Sequence, residues 1–167
     1  MKICGVDPGI HGALAIVEIA DGATPQLIDV LDVPVIGAGA RERVNTVLVW
    51  DWLAQHVFEH ALIERAGSMP GQGIASTFKF ARAVGALETV IACRDIPYSI
   101  LEPAVWKKFH HLGRDKEASR QRALQLFPNA CTWFARKMDH QRAEAALIAL
   151  TPMPGILPQA KFAEAVA

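Results

Sequence analysis

The sequence predicts one α/β domain built on a mixed five-stranded sheet flanked by helices, on three grounds. Three apolar runs near the N-terminus are separated only by turn signals. Further on, apolar runs of strand length alternate with stretches of helical period. A chain of 167 residues can bury most of its apolar surface in a single core. The expected division is a domain over 1–150 and a proline-containing tail over 151–167, loosely held because it has no clear periodicity.

The elements follow in order. Ile3 to Asp7 is a short apolar strand, Pro8-Gly9-Ile10-His11-Gly12 a turn, and Ala13 to Ile19 a second strand. Asp21-Gly22 turns the chain again, and Gln26 to Val33 alternates as a third antiparallel strand closed by Pro34. After Gly37-Ala38-Gly39, Val44, Val47, Leu48, Trp52, Leu53 and Val57 recur at helical spacing, and Ala61 to Glu64 resumes as a strand. Gly67 to Gly73 is a Gly/Pro loop. From Ala75 to Cys93 a helix carries apolar residues on more than one face, so it needs cover from the core and from a second surface. Tyr98 to Leu101 reads as the fifth strand, Pro103 to Phe109 as a short helix with proline in its first turn, Lys116 to Phe127 as an amphipathic helix, and His140 to Leu150 as an alanine-rich final helix.

Composition narrows the function classes. No stretch approaches the ~20 apolar residues of a membrane span, and Asp7 interrupts the N-terminus before a signal-peptide core can form, so a cytoplasmic protein is expected. Cys4, Cys93 and Cys131 are odd in number and lack CxxC spacing, which predicts reduced thiols and no zinc site. The net charge of zero argues at first against a nucleic-acid partner. The halves differ, however: residues 1–64 hold three basic and nine acidic residues, whereas 107–142 hold nine basic and three acidic. A polyanion has a basic surface to lie on, although two oppositely charged solvated faces would give the same count.

Four acids could carry chemistry. Asp7 and Glu64 each close an apolar strand, so both can stand on one edge of a sheet. Asp139 and Glu144 bracket the start of the last helix, whose Ala145-Ala146-Leu147-Ile148-Ala149 run lets it pack tightly on that sheet. Two carboxylates ~4 Å apart repel by about 4 kcal/mol at an effective dielectric of ~20, so acids that converge demand cations. An all-oxygen set suits Mg²⁺ or Mn²⁺. A pair of such ions activates a water on one side of a phosphorus and stabilises the leaving oxygen on the other. His140 is a further candidate, as proton carrier or extra ligand, although a histidine at a helix start is more often a surface residue.

These residues carry a family resemblance. Ile3-Cys4-Gly5-Val6-Asp7-Pro8-Gly9 resembles the GxDPG opening of the RuvC family of Holliday junction resolvases, which have an RNase H-like fold. Ala143-Glu144-Ala145-Ala146-Leu147-Ile148-Ala149 is similar to that family's last acidic helix, and Glu64 with Met69-Pro70-Gly71-Gln72-Gly73 and Ser76-Thr77-Phe78 is similar to its phage and prophage branch. The likeness runs in order from Ile3 to about Leu150.

The resemblance implies a homodimeric endonuclease for four-way DNA, dependent on Mg²⁺ with Mn²⁺ able to substitute and two ions per site. The helix from Ala75 to Cys93 is then the candidate dimer face, since an isologous interface presents two identical sites to a near two-fold junction. The implied metal acids are Asp7, Glu64, Glu144 and one residue shortly before it. The family pattern puts that residue three positions earlier, where this chain has Gln141, a poor ligand. Asp139 serves if the helix begins at about His140 and leaves it free to swing inward; His140 is the substitute.

The resemblance also makes Lys107 a catalytic lysine and Lys116 a second functional one. Lys108, Arg114, Arg120 and Arg122 would share generic phosphate contact, the alternative role for the two lysines, and Met69 and Gln72 are expected contacts in the loop that enters the junction, with Met69 able to wedge between bases. Phe78 and Phe80, at helical spacing, read as core. An RNase H-fold ribonuclease acting on structured RNA, or a non-catalytic nucleic-acid-binding relative, would share the fold and much of the surface.

Overall fold

The computed structural model describes residues 1–67, 71 and 73–156. Its centre is β1 (Lys2–Asp7), which pairs antiparallel with β2 (Ala13–Glu18) through the turn at Gly9 to Gly12. β2 pairs in turn with β3 (Gln26–Asp32). On its other side β1 runs parallel to β6 (His60–Glu64), and β6 runs parallel to β7 (Tyr98–Leu101). The strand order β3-β2-β1-β6-β7 is the mixed five-stranded sheet that the sequence predicts.

Helices cover both faces, and side-chain alternation along β1 assigns them. Cys4 and Val6, with Leu14, Ile16, Ala61 and Ile63, pack under α1 (Thr46–Ala54) and α2 (Ile74–Cys93). Ile3, with Ala13, Ala15, Leu62 and Leu101, packs under α3 (Pro103–Phe109), α4 (Lys116–Leu126) and α5 (His140–Ala149). Each fully buried Ile or Leu here contributes ~1.5–3 kcal/mol by leaving water.

Gly5 decides how close α5 comes. A Cβ there would stand 2.0 Å from the carbonyl oxygen of Ala145 and 2.6 Å from the amide nitrogen of Ala149, so helix backbone lies directly on strand backbone. Only glycine on the strand and small residues on the helix allow it. This contact brings the first turns of α5 to the end of β1.

The sequence and the structure differ in places. Val44 and Val57 lie outside α1. The Asn45 side chain accepts from the Leu48 amide and starts the helix at Thr46, while Val44 belongs to a two-stranded ladder of β4 (Val35–Ile36) and β5 (Arg43–Val44). Val57 is 89% exposed. Short 3₁₀ segments at Gly39–Arg41, Pro128–Phe134 and Lys137–Asp139 carry no apolar period that would announce them. The start of the tail is tied down, contrary to expectation: Thr151 is buried and donates to the Leu147 carbonyl, and Met153 and Ile156 pack on the core. Residues 157–167 lie outside the described residues.

Candidate active site at the strand ends

Period-2 alternation puts Gly5 and Asp7 on one face of β1, and Leu62 and Glu64 on the same face of β6. Both acids therefore stand at the carboxyl ends of adjacent parallel strands, on the side that α5 covers. Glu144, on the second turn of α5, is 8% exposed and completes the group.

The electrostatics show that their charges act on one another. Burial pushes the Asp7 carboxyl well above the usual carboxylate range, and the charges of Glu144 and Glu64 push it further; Lys116 and Lys107 pull it partway back. Glu64 is raised too, first by burial and then by Glu144. The hydrogen bond from Trp106 and the charges of Lys107 and Lys116 oppose the rise. The acids thus face one another with more negative charge than two lysines offset.

Two of the three acids have their own support. The buried Trp106 indole N–H donates to Glu64 Oε1 at 3.0 Å, and the buried Ser119 hydroxyl donates to Glu144 Oε1 at 3.2 Å. Lys107 lies over the Trp106 ring, with Nζ 5.1 Å from the centroid. Lys116 Nζ donates to His140 Nε2 at 3.1 Å, and His140 Nδ1 faces the Lys137 carbonyl at 3.2 Å. An ammonium can only donate, so Nε2 accepts and the ring proton sits on Nδ1. His140 is thereby a holder of Lys116.

Asp139 is not brought to this group. As expected it precedes α5, but it turns the other way. Its carboxylate accepts from the Arg136 backbone amide at 2.8 Å and from the Arg136 guanidinium at 3.0 and 2.7 Å, with Arg142 3.7 Å away. Burial raises its pKa, yet the Arg136 hydrogen bonds and the two arginine charges outweigh that and hold the carboxyl below its usual value. A carboxylate already neutralised by two guanidinium groups has little left to offer a cation. Gln141, three residues before Glu144, lines a groove of about 410 Å³ beside Asp7, with the Pro8 to Gly12 turn, Lys79, Phe80 and Lys116.

Of the expected DNA contacts, Lys108, Arg114 and Lys116 are exposed and Lys107 is partly so. Arg120 is not available: it pairs with Glu117 through both its Nε and a terminal nitrogen and donates to the Phe134 carbonyl at 2.7 Å, so it fastens α4 to the segment before α5. Met69 and Gln72 lie outside the described residues. Phe78 is 68% exposed and so is not core, whereas Phe80 is partly buried against Gly9. Trp106 and Ser119 are the functional neighbours that periodicity misses, because a buried tryptophan and a buried serine read as packing residues in a sequence.

The donor chemistry fits a hard divalent cation: three carboxylates, no thiolate or imidazole among them, and mutual repulsion that a bound cation would relieve. Among the described residues no three His, Cys, Asp or Glu side chains stand close enough to enclose an ion.

A parallel β1-β6-β7 half, an antiparallel β1-β2-β3 half and acids at the strand ends define the RNase H-like fold. That fold is the one of two kinds of resolvase. Thermus thermophilus RuvC in complex with a Holliday junction superposes with a TM-score of 0.67 at 19% identity, over 90% of this chain and 91% of that one. The fowlpox virus Holliday junction resolvase superposes with a TM-score of 0.53 at 14% identity, over 89% of this chain and 94% of that one. No family model and no curated protein sequence matches the chain.

Proposed function

We propose that this chain is a cytoplasmic, homodimeric endodeoxyribonuclease that resolves four-way DNA junctions with Mg²⁺, Mn²⁺ being able to substitute. The observation that carries the reading is the convergence on Asp7 of two further carboxylates and two lysines, contributed by β6, α5, α3 and α4. The substrate class is supported by two similar structures that hold Holliday junction DNA, one of RuvC and one of the fowlpox enzyme. Free cysteines accord with a reducing compartment, and no helix among the described residues is long and apolar enough to cross a membrane.

Asp7, Glu64 and Glu144 would hold the cations, two per site. When bound, such ions polarise the attacking water and neutralise charge on the leaving 3′-oxygen. Lys107 and Lys116, whose charges act on Asp7 and Glu64, would balance the negative charge that grows on the scissile phosphate. Lys108 and Arg114 track the flanking phosphates, so binding weakens steeply with salt. The dimer face is the outer side of α1 and α2. There a groove of about 620 Å³ is lined by Val47, Trp50, Gly85, Ala86 and Thr89, and Val47 is 65% exposed. A contiguous apolar surface of this kind is covered in a stable assembly.

The test incubates the protein with labelled four-way junction, matched duplex and structured RNA, in Mg²⁺ and in EDTA. Paired nicks confined to the junction, lost in EDTA and in Asp7→Asn or Glu64→Gln while binding persists, are expected. Preferential cleavage of RNA, or tight junction binding with no cleavage in Mg²⁺ or Mn²⁺, overturns the reading.

A further inference from the structure

The protein treats the acids it shields from solvent, the buried Asp139 and Glu144 and the half-buried Glu64, in two ways. Asp139 is met by two guanidinium groups, which orient it and cancel its charge. Glu64 and Glu144 each receive a hydrogen bond from a neutral donor, the Trp106 indole in one case and the Ser119 hydroxyl in the other. A neutral donor fixes where a carboxylate points without consuming the charge that attracts a cation.

The geometry points to Trp106 and Ser119 as positioning residues that aim Glu64 and Glu144 at the cation site. The inference rests on the metal-dependent reading above. Both donors are held rigidly. Trp106 is fully buried in the cluster under α3, α4 and α5, where its ring cannot turn, and its N–H, having left water, needs an acceptor. Ser119 is 1% exposed on the inner side of α4, one turn before the buried Ala123. Each gives a single hydrogen bond to Oε1 of its acid, and one such bond uses only one of the several acceptor positions of a carboxylate. Neither residue touches the substrate; their effect passes through the acids.

Mn²⁺ binding to the full-length protein, read from loss of the free-ion electron paramagnetic resonance signal, tests this without reliance on cleavage. Trp106→Phe keeps the ring and removes the N–H; Ser119→Ala removes only the hydroxyl. Each should weaken Mn²⁺ binding by about 10–100-fold. The Mg²⁺ concentration for half-maximal junction cleavage should rise likewise, with junction affinity in EDTA unchanged. If both variants fold, by near-ultraviolet circular dichroism, and bind Mn²⁺ within twofold of the unmodified protein, the inference is wrong. If Trp106→Phe does not fold, Ser119→Ala decides alone. An unmodified protein that binds Mn²⁺ but leaves junctions intact refutes the nuclease reading, while the variants still test the positioning role through Mn²⁺ affinity.

Discussion

Replacing Gly5 with alanine should injure stability and activity together, by amounts that follow from one contact. The added Cβ would stand 2.0 Å from the Ala145 carbonyl oxygen, and ordinary van der Waals contact begins at about 3.4 Å, so strand and helix must separate by ~1.4 Å. The neighbours are two backbone atoms and the Cβ of Ala149 in the second half of α5, none of which can rotate aside. Overpacking of this kind costs ~1–3 kcal/mol, here toward the upper end, and each kcal/mol lowers Tm by ~2–4 °C in a protein of this size. The same displacement carries Glu144 away from Asp7, and ~1 Å of misplacement costs about 10²-fold in rate. Thermal unfolding and single-turnover junction cleavage measure the two effects, with Gly113→Ala as control, since a Cβ there meets nothing within 4 Å. A Gly5→Ala protein that melts with the unmodified one, or that loses stability yet cuts at full rate, refutes the claim that this contact sets the distance between the acids.

Three other outcomes follow from the site. Asp7→Asn should raise the Tm of the metal-free protein. Because the folded pKa of Asp7 is raised, the folded state binds more protons than the unfolded one above the ordinary carboxylate range, and stability falls as pH rises from about 4. The gain in Asp7→Asn should therefore grow over that interval and vanish in saturating Mg²⁺. Asp139→Asn should cost ~1–3 kcal/mol of stability by weakening the hydrogen bonds with Arg136 but leave the Mg²⁺ requirement of cleavage unchanged; its lowered pKa means that this contribution disappears as pH falls below the carboxylate range. A changed Mg²⁺ requirement would return Asp139 to the metal site. Val47→Ser combined with Trp50→Ser should shift the protein toward monomer in sedimentation velocity while each chain stays folded, and an unaltered distribution would move the dimer face elsewhere.

How much of this was legible beforehand differs by residue. β1, β2 and β6 are short apolar runs bounded by turns, so the ends that carry Asp7 and Glu64 could be read directly. α5 could be read from its alanines, and with it Glu144. Asp139 misled because its sequence position permits two directions and the choice is made by Arg136, through a tight turn with no periodic signal. Arg120 misled for a similar reason: its partners Glu117 and Phe134 are defined only once α4 meets the segment before α5. Phe78 reads as core from spacing alone, although the first two turns of α2 bury no residue and leave it exposed. Trp106 became informative only when its nitrogen had an address.

The parallel pairing of β1 with β6, and the seat of α5 on Gly5, have a consequence for how the protein is made. The three acids lie at positions 7, 64 and 144, so the site draws on segments far apart in sequence. A ribosome-bound fragment that has displayed Asp7 and Glu64 still lacks the last helix, and the glycine notch on β1 remains open. Synthesis from the N-terminus therefore withholds the complete acid set until α5 docks, so a fragment that ends before α5 carries at most two of the three acids.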